Sequence, residues 1–201
     1  GGEPVGICGT GIFDLVAQCY LRGIISGDGT VNREQKGFTT EVWDKDAERM
    51  VPAVVYYEKA DKKLYFTEPD IREFIRCKAA AHTMVATLLE YCGLGLDDID
   101  RIYLAGGFGT HIDLESAVTV GIYPDVDRKK MVLLGNTSLA GAKKLLLDAG
   151  QLARVRHFLE SSEYLHFSEM ERFPENMVAA EFIPHTDGRL YPSVKRHPLQ
   201  K

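Results

Sequence analysis

Apolar and polar positions fall into blocks along the chain, and three of these blocks share one form. Ile102, Tyr103, Leu104 and Ala105 make a short β-prone apolar run that reads as a buried strand. Gly106-Gly107-Phe108-Gly109 breaks that run, and Thr110 to Asp113 offer capping groups before the apolar-periodic residues that start at Leu114. Met131 to Leu134 form another short strand, which ends in Gly135-Asn136-Thr137-Ser138. It is followed by a helix with Leu139, Ala142, Leu145 and Leu146 on one face. Near the start, Gly6-Ile7-Cys8-Gly9-Thr10-Gly11 precedes Ile12, Leu15, Val16, Cys19, Tyr20 and Gly23 at helical spacing, with Thr10 the expected N-cap.

Between these units the pattern changes. Residues 31–50 are polar and irregular and yield no clear element. Val51 to Glu58 and Lys63 to Phe66 read as a hairpin around residues 59–62, an insert of about 51–66. Thr67-Glu68-Pro69-Asp70 is a strong helix start: a capping Thr, a Pro in the first turn and two acids near the positive end of the helix dipole. The helix should carry Ile71, Phe74, Ile75, Val85, Leu88, Leu89 and Cys92 on one apolar face and stop at Gly93-Leu94-Gly95. Ala79-Ala80-Ala81 favours close helix packing, and His82 reads as a packed side chain rather than a ligand. Gly121-Ile122-Tyr123-Pro124 terminates the helix after the central strand. A helix at 151–159, a strand at 164–167 and a helix around 174–182 follow. Residues 184–201, with Pro192, Pro198 and several charges, are expected to be a loosely ordered tail beyond a domain at 1–183.

Composition narrows the function. With 201 residues, 45% apolar, the chain can bury one sizeable core. A net charge of -5 without a basic stripe argues against nucleic-acid binding. No apolar run approaches the roughly 20 residues of a membrane span. Cys8, Cys19, Cys77 and Cys92 are far apart and lack ligand spacing, and the histidines are equally scattered. Buried thiols in a reducing cytoplasm are expected, with no metal ligands. The chain starts at Gly1 without a methionine and enters a motif within a few residues, so it reads as a piece of a longer protein.

Strands feeding helices through glycine or hydroxyl turns indicate an α/β sheet with ligands at the strand carboxyl ends. Backbone N–H groups at such turns can hold phosphate or lie beside a nucleoside without charged side chains. A tight strand-to-helix turn explains the glycines of Gly106 to Gly109 equally well, and Asp14 reads equally as a dipole complement or a catalytic acid. There is no GxxxxGK[ST] loop, no complete GxGxxG fingerprint and no GxSxG elbow, so P-loop, dinucleotide and serine-hydrolase readings fall away. What remains is a nucleotide-binding α/β domain.

LAGGFGTHID resembles the adenosine-binding motif of the acetate and sugar kinase / chaperone ATPase / actin superfamily, and GNTSLAGA is similar to its second connecting motif. More narrowly, ICGTGIFDLVAQCYLRGII, FTEPDIREFIRCKAAAHTMVATLLEYCGL, LAGGFGTHIDLESAVTVGIYPD and GNTSLAGAKKLLLD, in that order, resemble the C-terminal domain of the reductive activators of corrinoid proteins. FPENMVAAEFIPHTD is similar to that family's ending, and Thr10 stands where the family usually has serine.

The resemblance implies the truncated second lobe of an actin-like ATPase: a ribonuclease H-like sheet flanked by helices. It implies an ATP-dependent protein that restores Co(II) corrinoid to Co(I) on a corrinoid methyltransferase or a corrinoid iron–sulfur protein in anaerobic metabolism. Gly106, Gly107, Phe108, Gly109 and Thr110 fall on the adenosine motif and Asn136, Thr137 and Ser138 on the connecting motif, with Gly9, Thr10 and Gly11 near the cleft. Catalytic residues are not identified. The phosphate motifs of the superfamily are expected upstream of Gly1, together with a [2Fe-2S] domain, so weak Mg-ATP or Mg-ADP binding and no turnover are expected of this chain alone. A homodimer is left open. Alternatives stand beside this reading: an activator of 2-hydroxyacyl-CoA dehydratase type or a small-molecule kinase of the same superfamily, and a non-catalytic lobe that docks a corrinoid protein. Asp44, Asp46, Glu48 and Asp61 could supply a docking face, or an ordinary solvated surface.

Overall fold

The computed structural model describes residues 2–195. Two sheets and seven α-helices are present among them. Strands β1 (Thr39–Asp44), β2 (Arg49–Lys59) and β3 (Lys62–Thr67) form an antiparallel meander, with Val42 opposite Val51 and Val54 opposite Phe66. The expected hairpin is therefore the centre of a larger sheet. Its third strand, β1, lies inside the stretch that gave no pattern. Strands β4 (Ile102–Ala105) and β5 (Met131–Gly135) form a parallel pair, with Leu104 opposite Leu133. The strand expected at 164–167 does not form: Tyr164 is exposed and its ring meets only the edge of His166, and a 3-10 turn starts at Phe167.

Helix α1 (Gly9–Leu21) buries Phe13, Val16, Ala17, Cys19 and Tyr20 in the main core, and Gly23 closes it with φ +68°. Helix α2 (Glu68–Tyr91) starts with a full capping box, in which Asp70 N donates to the Thr67 hydroxyl and Thr67 N donates to the Asp70 carboxylate. Ile71 and Ile75 are buried as expected, but the face then shifts: Lys78, Ala79, Thr83 and Thr87 turn inward, while Val85, Leu88 and Cys92 are exposed. Lys78 replaces an apolar side chain there because its nitrogen meets two backbone carbonyls, described below.

Helices α3 (Gly106–His111) and α4 (Leu114–Val120) follow β4. The glycine run is thus itself helical, and only Asp113, which accepts from Ser116 N, acts as the cap of α4. Helices α5 (Thr137–Leu147) and α6 (Gln151–Glu160) have no buried residue, with Leu146 88% and Phe158 68% exposed. The apolar face read at Leu139, Ala142 and Leu146 therefore looks outward.

The segment after α7 (Phe173–Ala180) is not a loose tail up to residue 194. Lys78 Nζ donates to Phe182 O and Pro184 O at 2.6 Å, and Ile183 N donates to Gly27 O at 2.8 Å. The Tyr191 hydroxyl donates to Gly121 O at 3.2 Å, and the Ser193 hydroxyl donates to Asp125 at 2.7 Å. Gly121 has φ +84°, and a Cβ there would collide with the Pro184 carbonyl. Ile183, Pro184 and Tyr191 are buried, so a division at residue 183 would cut through the core. Residues 196–201 lie outside the described residues.

Candidate functional site

The three glycine and hydroxyl junctions meet at one edge of the fold. Phe108, in the middle of α3, packs edge-on against Phe13 of α1 at 5.1 Å between ring centres, and Phe13 in turn meets Phe74 of α2 at 4.8 Å. A Cβ on Gly9, the first residue of α1, would lie 3.8 Å from the Phe108 ring. On the other side, a Cβ on Gly135 would lie 4.0 Å from the Thr110 hydroxyl. The starts of α1 and α3 and the end of β5 are thereby held against one another.

Within this edge the glycines do different things. Gly106 has φ +94°, which lets the chain turn from strand to helix at once, and an added Cβ would meet nothing within 4 Å. Gly107 has no such backbone demand and equally open space above it. Gly109 is buried, and a Cβ there would come within 3.3 Å of the Leu104 backbone, so its smallness seats α3 on β4. Gly11 is likewise a packing position, against Ile7 at 2.9 Å.

The hydroxyls differ as well. Thr110 donates to Gly106 O at 2.9 Å inside α3 and caps no helix. Thr10 is not an N-cap either, because α1 begins one residue before it and Cys8 holds the cap position without a side-chain cap bond. The Thr10 hydroxyl instead lies 3.4 Å from Cys8 Sγ. Together with the Gly11 backbone it holds the exposed Cys8 thiol below its ordinary pKa. Asn136 is the N-cap of α5 and accepts from Leu139 N at 2.9 Å, and Thr137 and Ser138 are exposed in the first turn.

Only Cys19 of the four cysteines is buried, and burial pushes its thiol up to about 11. Cys8, Cys77 and Cys92 are exposed, contrary to the expectation of buried thiols, because their positions face outward from α1 and α2. Among the described residues no group of three or more His, Cys, Asp and Glu could hold a metal ion, so an iron–sulfur cluster has no donor set here. Nor is any helix among them long and apolar enough to cross a membrane. Above Gly106 and Gly107 the space is open, and the Phe108 ring beside them is 42% exposed.

Residues 1–195 match the family described as the C-terminal domain of RACo, the ASKHA domain. The chain belongs to that family. This ASKHA domain is 29% identical over 154 residues to the corrinoid activation enzyme RamQ of Eubacterium limosum, covering 72% of the chain and 26% of the relative. It is 31% identical over 124 residues to the [Co(II) methylated amine-specific corrinoid protein] reductase of Methanosarcina barkeri, covering 61% of the chain and 23% of the relative. Among solved structures it superposes on a reductive activator for a corrinoid iron–sulfur protein with a TM-score of 0.85 and 39% identity, covering 95% of the chain and 30% of that structure. The domain thus spans about a quarter of the length of the curated relatives it matches. The actin-like fold read from the motifs is the fold found.

What the sequence did not reveal is the division of labour among the glycines. Strand-to-helix turns with a positive φ and glycines seated against a neighbouring backbone carry the same letter. The positive φ of Gly106 and the packing of Gly109 on Leu104 and of Gly11 on Ile7 separate them.

Proposed function

We propose that this domain is the adenosine-binding lobe of an ATP-dependent reductive activator that returns Co(II) corrinoid to Co(I) on a corrinoid protein. One observation carries the reading: Gly9, Phe108, Thr110 and Gly135, from three separate sequence motifs, converge on an edge where Gly106 and Gly107 leave open space. In this reading Gly107 and Phe108 border the nucleoside, with Gly106 forming the turn and Gly109 and Gly11 fixing the helices behind it. Thr137 and Ser138 lie at the amino end of α5, where exposed N–H groups and hydroxyls suit a polar ligand group. Gly9 lies beside the Phe108 ring, and Phe13 packs on that ring edge-on. Bound ATP would supply the driving free energy for a reduction that is otherwise unfavourable, and the residues here bind and orient it.

In this reading the lobe works in the cytoplasm and its partner is a corrinoid methyltransferase or corrinoid iron–sulfur protein. The outward apolar face of α5 and α6, with Leu146 and Phe158, favours a second role for the same lobe as a docking surface within that machine. The test is a spectroscopic assay of Co(II) loss with a reductive activator that carries this chain as its ASKHA domain, comparing parent and Gly107→Val. Loss of ATP-dependent reduction in a folded variant is expected. Undiminished ATP-dependent reduction would remove the glycine edge from the function.

A further inference from the structure

Gly107 and Gly109 flank Phe108 in α3, so its neighbours in sequence offer no side chain to hold its ring. Its support comes from α1. Phe13 meets the Phe108 ring at 5.1 Å between centres with the planes 69° apart, and Phe74 of α2 meets Phe13 at 4.8 Å and 73°. Both pairs lie in the range where edge-to-face rings attract. Gly9, one turn before Phe13 on the same side of α1, lies close enough that a Cβ there would touch the Phe108 ring. Phe13 is only 8% exposed and belongs to the main core, whereas Phe108 is half-exposed.

We propose that Phe13 is a positioning residue for the nucleoside: buried itself, it holds the Phe108 ring beside Gly106 and Gly107 before the ligand arrives. The proposal rests on the nucleotide reading of this edge. A half-exposed phenylalanine with no fixed neighbour samples several rotamers, and a ligand that uses its ring must order it on binding. A ring already held by an edge-to-face contact needs no such ordering. Phe13 acts only through Phe108, because its own ring is covered. Phe74 backs Phe13 and ties the orientation of the pair to the first two turns of α2.

The test is a nuclear magnetic resonance titration of adenosine into the 201-residue chain, read at the Phe108 ring protons. It compares the parent with Gly107→Val, Phe13→Leu and Val16→Ala. The parent should show a saturable shift that Gly107→Val abolishes. Phe13→Leu keeps an apolar side chain but removes the ring, and should raise the Kd for adenosine roughly two- to tenfold. Val16→Ala removes packing from the same core one turn farther along α1, and should leave that Kd unchanged. An unchanged Kd in folded Phe13→Leu, or an equal rise in Val16→Ala, would overturn the positioning role and leave the nucleotide at the edge. No saturable shift in the parent, or an equal one in Gly107→Val, would overturn the nucleotide reading and the positioning role with it. Should Phe13→Leu fail to fold, nuclear Overhauser contacts between the Phe13 and Phe108 rings of the parent decide. They should persist with adenosine bound, and their loss would overturn the role.

Discussion

The Lys78 ammonium sits 2.6 Å from the Pro184 carbonyl oxygen, and the lysine is 1% exposed. A buried cation is costly, and burial pushes its pKa down to about 7, while the carbonyls of Pro184 and Phe182 favour the proton. The arrangement anchors the C-terminal segment to α2. It explains why a stretch rich in proline and charge is packed rather than loose.

Lys78→Met keeps most of the apolar stem and removes both donors. The two carbonyls are then left in the core without their partner, which costs about 1–3 kcal/mol for an unpaired buried acceptor. Relief of the desolvated charge offsets part of this. Urea unfolding near neutral pH should therefore show a lower midpoint for the variant. A midpoint equal to the parent's would mean that Lys78 contributes nothing to anchoring the segment.

His82 should make the fold acid-sensitive. Burial first, then the neighbouring His185 and Lys78, push its pKa down to about 4 from 6.5. The unfolded chain then binds a proton at pH values where the folded chain does not. Stability is fully present above about 6.5 and is lost as pH falls towards 4. Each pH unit crossed costs at most about 1.4 kcal/mol from this group. His82→Asn, whose amide can still meet the Tyr191 hydroxyl, should flatten the stability profile over that window. Parallel profiles for parent and variant would contradict the assignment.

Much of this fold was legible because local signals and tertiary structure agree. Ile102 to Ala105 is a strand with the limits its apolar run gave, and Thr67 with Asp70 starts a helix as their spacing required. Where the reading failed, long-range contacts decided. Strand β1 carries Thr39, Thr40, Glu41 and Asp44, too polar to read as a strand alone, yet β2 supplies a hydrogen-bonding edge for it. The inward turn of Lys78 depends on carbonyls more than a hundred residues away in sequence. The motif order identified the candidate edge. Spacing alone could not say that Phe108 would meet Phe13, or that Thr110 would meet Gly135.

The central claim is that the glycine edge holds a nucleotide, and Gly107 tests it most directly. Gly106→Ala should cost about 1–2 kcal/mol of stability, because φ is +94° there, and so confuses folding with binding. Gly107 has no positive φ and open space, and valine is no worse a helix former than glycine, so Gly107→Val should fold with little change in stability. The measurement is calorimetric titration of Mg-ATP and Mg-ADP into the 201-residue chain, in the parent form and with Gly107→Val. The account predicts saturable heat in the parent and its loss in the folded variant. Equal affinity in both would contradict a nucleotide at this edge.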